Sequence, residues 1–155
     1  MRRRAEIATE FFANRVGLFP SAKVTLERLR EMKLYLAVAT SSVSASARPF
    51  LERTGIRRLF DMIITGDEIE RGKPYPDIYL LTAEKLHVDI DGCLVIEDAL
   101  AGIAAAKAAN MRVAAIPDTR FVDPREYMNE ADYVLRDLSE IPALLDRVNA
   151  AAGKE

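Results

Sequence analysis

Glu97 and Asp98 leave the apolar run Leu94-Val95-Ile96 as adjacent carboxylates. Two such groups in a half-buried cleft repel each other unless a cation or hydrogen-bond donors compensate. Magnesium suits them, since it takes oxygen ligands, often one or two carboxylates, and completes its shell with water and phosphate oxygens. The plainer alternative is that Asp98 caps a helix starting near Leu100 while Glu97 faces solvent. Lys73 sits in Gly72-Lys73-Pro74-Tyr75-Pro76-Asp77, where the prolines stiffen the loop that presents its ammonium. That charge would offset the two acids and hold an anion, although most lysines are simply solvated. Thr40, Ser41 and Ser42 follow the apolar run Leu36 to Ala39. Their hydroxyls and the backbone N–H groups beyond them could cradle an anion, or one of them could act as an ordinary helix cap. A hydroxyl, an ammonium and two acids thus occur in that order along the chain, groups suited to a phosphate and magnesium site, and no aspartate-rich strand lies before them.

Other candidates carry less. His87 is the single histidine and stands at an expected helix end without a nucleophile partner. Asp67, Glu68 and Glu70 suggest a solvated turn that could border the cleft. Arg2-Arg3-Arg4 is too short to argue for nucleic-acid binding, and the residues after it lack the apolar run of a secretory peptide. The single cysteine, Cys93, excludes an internal disulfide and is expected as a small buried residue in a strand.

Alternating elements are needed to bring these groups together. Residues 3–16 suit a helix, and Ser21 is placed to cap a second one through Leu26, Leu29 and Met32. Leu34 to Ala39 is continuously apolar, as a parallel strand covered on both faces should be. A helix over 44–54 should stop at Gly55, with a strand over 60–65 after it. Pro76 to Leu86 predicts a helix, 93–96 a strand, 100–109 an alanine-rich helix and 112–116 a strand. Tyr133 to Leu135 suits an edge strand and 141–151 a closing helix. Such alternation predicts an α/β fold, a parallel sheet with helices on both faces, whose ligands bind beyond the carboxyl ends of the strands. Thr40 and Glu97 fall at two of those ends.

Composition narrows the function classes. The chain has 155 residues, half of them hydrophobic, enough for one domain with a substantial core. Lys plus Arg number 22 against 24 Asp plus Glu, so no global field would attract nucleic acid or an anionic membrane. No apolar run is long enough to span a bilayer. A soluble cytoplasmic protein is the expectation.

Taken in order, the strand ending at Thr40, Gly72-Lys73-Pro74-x-Pro76-Asp77 and Val95-Ile96-Glu97-Asp98 with Gly102 resemble the haloacid dehalogenase-like hydrolase superfamily. The nearest branch is that of beta-phosphoglucomutase and phosphoglycolate phosphatase, over about residues 17–150. The resemblance implies a Rossmann-like fold and magnesium-dependent phosphatase or phosphomutase chemistry on a small phosphorylated metabolite or phosphate. It makes Thr40 and Lys73 catalytic, Thr40, Ser41 and Lys73 phosphate-binding, and Glu97 and Asp98 magnesium ligands. Two positions depart from the pattern: Ala99 replaces a common serine and Ser21 a common glycine.

Members of that family begin with a central strand bearing Asp-x-Asp, whose first aspartate is the nucleophile. No match to that strand precedes Thr40, and residues 1–19 resemble the last helix of the cap that normally follows it. The expectation is therefore a single incomplete core domain over 1–155, lacking that strand and most of the cap and inactive alone. A non-catalytic magnesium, anion or partner-binding module is the alternative. Either the strands ending at Thr40 and Glu97 pair directly, or a second copy or another chain supplies the strand between them, or the sequence is a fragment of a longer protein.

Overall fold

Short apolar runs form strands and the amphipathic stretches between them form helices in the computed structural model, which describes residues 17–120 and 122–152. The helix expected over 3–16 lies outside the described residues. In chain order the elements are α1 (Ala22–Glu31), β1 (Ala37–Ala39), α2 (Ser44–Arg53), β2 (Met62–Ile64), α3 (Asp77–Leu86), β3 (Leu94–Glu97), α4 (Leu100–Ala108), β4 (Arg112–Ala115), β5 (Tyr133–Val134) and α5 (Ile141–Ala152). Gly55 follows α2 with a φ of 70°, the left-handed conformation that suits glycine beyond a helix end.

Three details differ from the sequence reading. Ser21 occupies the N-cap position of α1 without capping it; its hydroxyl donates instead to Asp137 Oδ2 at 2.9 Å. Strand β1 begins at Ala37 rather than Leu34, because the Asp61 carboxylate takes the Leu36 N–H at 2.8 Å just before the ladder starts. Cys93 precedes β3 and is half-buried, its Sγ 3.3 Å from the Asp89 carbonyl; burial pushes its thiol pKa up.

Among the described residues all strand pairs are parallel. β1 pairs with β2, setting Val38 opposite Ile63, while β3, β4 and β5 form a second sheet in that order. Alternation along β4 splits the core. Val113 and Ala115 pack with Ile78 and Tyr79 of α3 and Ile103 of α4. Ala114 packs on the other face with Leu29 of α1 and Leu144 of α5. Helices therefore cover both faces of a Rossmann-like α/β layout, as expected.

β1 and β3 are not hydrogen-bonded to each other, so direct pairing, one of the expected outcomes, does not occur. Thr40 N–H donates to the Ile64 carbonyl and Ile116 N–H to that of Glu97. In parallel ladders the bonding side alternates along each strand, so Ala37, Ala39, Leu94 and Ile96 turn their backbone groups toward the space between the sheets. That space is a cavity of 590 Å³ lined by these four residues together with side chains from α1, α3 and α5. Among the described residues no strand occupies it.

Candidate functional site

The chemistry gathers in a second, more open cleft at the carboxyl ends of β1 and β3. Ala39, Thr40 and Ser41 form one wall, Glu97, Asp98, Ala99 and Gly102 the other, and Lys73 lies between them. All five residues singled out from the sequence therefore line one pocket: Thr40, Ser41, Lys73, Glu97 and Asp98.

Strand β3 delivers Glu97 inward, where it is 9 % exposed. Its Oε1 accepts the Lys73 ammonium and, at 2.5 Å, the Tyr79 hydroxyl. Its Oε2 accepts the N–H groups of Asp98 at 3.2 Å and Ala99 at 3.4 Å. Four donors match the roughly four lone-pair positions of a carboxylate, so Glu97 is saturated. Behind it, Gly102 in the first turn of α4 leaves no room for a Cβ, which would collide with the Glu97 carboxylate. Glu97 is thus neither the solvated group of the plainer reading nor a bare acid.

Asp98 behaves differently. It is exposed, and among the described residues its carboxylate makes no hydrogen bond or ion pair. Nor does it cap α4, whose N-cap is Ala99. Its own carbonyl accepts the Tyr127 hydroxyl at 2.8 Å, which anchors the turn from below.

Lys73 reaches the cleft from the loop before α3 and is joined to Pro74 by a cis peptide. Besides Glu97, its Nζ donates to the Ala39 carbonyl at 3.2 Å and lies 4.9 Å from the centre of the Tyr79 ring. One ammonium therefore spans the ends of both sheets. On the opposite wall the Thr40 hydroxyl accepts the Ser42 N–H at 3.1 Å, and Asp67 Oδ1 takes the Ser44 N–H at 2.9 Å. The anion cradle expected from free N–H groups is smaller than the sequence suggests, because these two donors are already engaged.

Asp67 and Glu68 are not a loose solvated turn either. Both carboxylates contact the hydroxyl of Thr65, a fully buried residue at the end of β2, at 2.6 and 2.9 Å. These hydrogen bonds hold both acids below the usual carboxylate range. They clip the end of β2 to the start of α2 and do not line the cleft. His87 ends α3 in a left-handed conformation, φ 54°, and serves as a helix terminus.

Sequence reasoning missed Tyr79 and Tyr127. The usable signal for Tyr79 was its place beside the apolar Ile78 on α3, since a buried tyrosine generally needs a partner for its hydroxyl. Burial, reinforced by Glu97 and Asp98, holds its phenol far above the ordinary value, so it donates as a neutral hydroxyl.

Among the described residues no three His, Cys, Asp or Glu side chains converge as a metal cluster. The donor set fits magnesium all the same, because this ion commonly uses one or two carboxylates and fills its shell with water and phosphate. Asp98 is free to join such a shell; Glu97 would have to release Lys73 or Tyr79. The chain's one Asp-x-Asp, Asp89 to Asp91, sits in the turn before β3, at the strand end away from the cleft. No described helix is long and apolar enough to cross a membrane.

Comparison with known proteins follows the same lines. A family model described as haloacid dehalogenase-like hydrolase matches residues 2–116. A validoxylamine A 7'-phosphate phosphatase of Streptomyces hygroscopicus subsp. limoneus is 37 % identical over 116 residues, 75 % of this chain and 53 % of that protein. CbbY from Rhodobacter sphaeroides, solved in complex with phosphate, superposes with a TM-score of 0.78 at 28 % identity, covering 90 % of this chain and 63 % of CbbY. A structure from Thermotoga maritima described as a beta-phosphoglucomutase gives 0.82 at 28 % identity, over 95 % and 68 % of the two chains. This chain spans about half the length of the curated relatives it matches. With phosphoryl-transfer enzymes of the beta-phosphoglucomutase and CbbY kind among its relatives, and the family match running from ahead of α1 to just beyond β4 and taking in the cleft, the chain belongs to the haloacid dehalogenase-like hydrolases.

Proposed function

We propose that the rim cleft binds the phosphate group of a small phosphorylated metabolite together with magnesium, as the phosphate-holding half of a phosphoryl-transfer site. The observation that carries this reading is the Lys73 ammonium, fixed between the Ala39 carbonyl and Glu97 on the rim that Thr40 and Asp98 share. Lys73 supplies positive charge where phosphoryl oxygens gain negative charge, and the hydroxyls of Thr40 and Ser41 orient them. Asp98 holds the ion, and Glu97 backs it by fixing Lys73 and the N–H groups of the turn. The ion, when bound, would neutralise charge on the phosphoryl oxygens. The phosphate bound by CbbY supports the same ligand here.

These 155 residues acting alone are proposed to turn over phosphate esters negligibly. Among the described residues Asp98 is the one unengaged carboxylate lining the cleft, and as an ion ligand it cannot also attack phosphorus. Calorimetry with magnesium and inorganic phosphate tests the binding, with loss of magnesium binding expected in Asp98→Asn. Brisk phosphate release from p-nitrophenyl phosphate by the purified chain would overturn the proposed inactivity.

A second reading has its own observation. The unpaired backbone rows of β1 and β3 flank an apolar cavity, which favours a partner-binding module completed by a strand from a second copy or another chain. Size exclusion with light scattering separates the two: a strict monomer at high concentration counts against pairing with a second copy.

A further inference from the structure

We propose that Tyr79 is a positioning residue of the cleft: its hydroxyl holds the Glu97 carboxylate, and its ring supports the Lys73 ammonium, so that Lys73 stays at the rim while Asp98 remains free. This inference rests on the reading of the cleft as an anion and magnesium site.

Tyr79 is 6 % exposed and lies on α3, six residues after the lysine it serves. Its two contacts fall on both members of the ion pair: the hydroxyl on Glu97 Oε1 at 2.5 Å and the ring 4.9 Å from Lys73 Nζ. A carboxylate accepting from only one side is free to rotate, and Glu97 has backbone donors on Oε2 alone. The Tyr79 proton fixes the other oxygen in the plane where Lys73 must meet it. Without that proton the lysine loses its fixed acceptor, and Glu97 can turn toward the ion or the anion. Tyr79 touches neither ligand, so its effect on binding passes through Glu97 and Lys73.

Tyr79→Phe separates the hydroxyl from the ring, because the aromatic face under Lys73 and the packing against Val95 and Ile103 are retained. Thr82→Val is the control. It removes another hydroxyl from α3, one that donates to the Ile78 carbonyl at 2.6 Å away from the cleft. Calorimetric titration with inorganic phosphate in the presence of magnesium should give roughly tenfold weaker binding for Tyr79→Phe, as losing a hydrogen bond to a charged group does, and unchanged binding for Thr82→Val. NMR of the Lys73 side chain reports the position of the ammonium directly, and its ε-methylene shift should move in Tyr79→Phe alone. Wild-type affinity retained in Tyr79→Phe overturns the inference while leaving the cleft's role intact. If the wild-type chain binds neither ligand, the cleft reading fails and the Lys73 shift alone decides: a change confined to Tyr79→Phe upholds the positioning role, and no change ends it.

Discussion

The Lys73 ammonium and the Glu97 carboxylate meet at the rim between the two sheets, with side chains only 12 % and 8 % exposed. Removing one member of such a pair strands the other. Lys73→Met should therefore cost about 3–5 kcal/mol, the usual penalty for breaking a buried ion pair. Adding Glu97→Gln to Lys73→Met should recover part of that loss, because an amide needs no counter-charge. Urea unfolding of both single variants and the double variant measures the coupling; strictly additive losses would show that the two residues act independently.

Much of this pair was legible in the chain and part of it was not. A lysine between glycine and proline and a twin-acid step after an apolar run announce chemistry, because such residues are costly unless they are used. Their assignment within the site is set by three-dimensional neighbours instead. Nothing local tells Glu97, which turns inward to Lys73 and Tyr79, from Asp98, which turns outward. Strand and helix positions followed from alternation and periodicity to within a few residues, as at β3 and α3. The late start of β1 did not, because it depends on Asp61, 25 residues away in sequence, capturing the Leu36 N–H.

Gly102 leaves the Glu97 carboxylate its space. Alanine there favours the helix by up to about 1 kcal/mol over glycine, and in α4 that gain should be outweighed by collision with a carboxylate already held by four donors. Gly102→Ala is expected to destabilise the chain by about 1–3 kcal/mol net, the range for overpacking. Gly92→Ala, where an added Cβ meets nothing within 4 Å, is the matched control and should be near neutral. Equal unfolding midpoints for the two variants would remove Gly102 from the account.

The Thr65 cluster sets an acid limit. Hydrogen bonds from Thr65 hold Asp67 and Glu68 below their ordinary values, so both acids release protons more readily in the folded chain than in the unfolded one. Groups with depressed folded values contribute stability that is fully present above the unfolded value, about 4, and that is lost as pH falls through the folded one. Thermal midpoints should therefore drop as pH is lowered from about 5 to 3. In Asp67→Asn combined with Glu68→Gln the drop should be shallower, with the wild type and the variant converging at the acid end. Parallel profiles for the two proteins would be the contrary result.

The space between β1 and β3 makes the last prediction. Val38 and Val95 bond within their own sheets, whereas Ala37, Ala39, Leu94 and Ile96 turn their N–H groups toward the cavity. Six amides, Ala37 to Ala39 along β1 and Leu94 to Ile96 along β3, should thus divide into protected and unprotected sets, although all lie in strands. Native-state hydrogen exchange followed by NMR should find Val38 and Val95 slow and at least three of Ala37, Ala39, Leu94 and Ile96 faster by an order of magnitude or more. A strand entering the cavity would take up those same groups, so their exchange should slow in a complex while Val38 and Val95 change little. Uniform protection of both sets in the isolated chain would mean that the sheets close on each other in solution, leaving no place for an added strand between them.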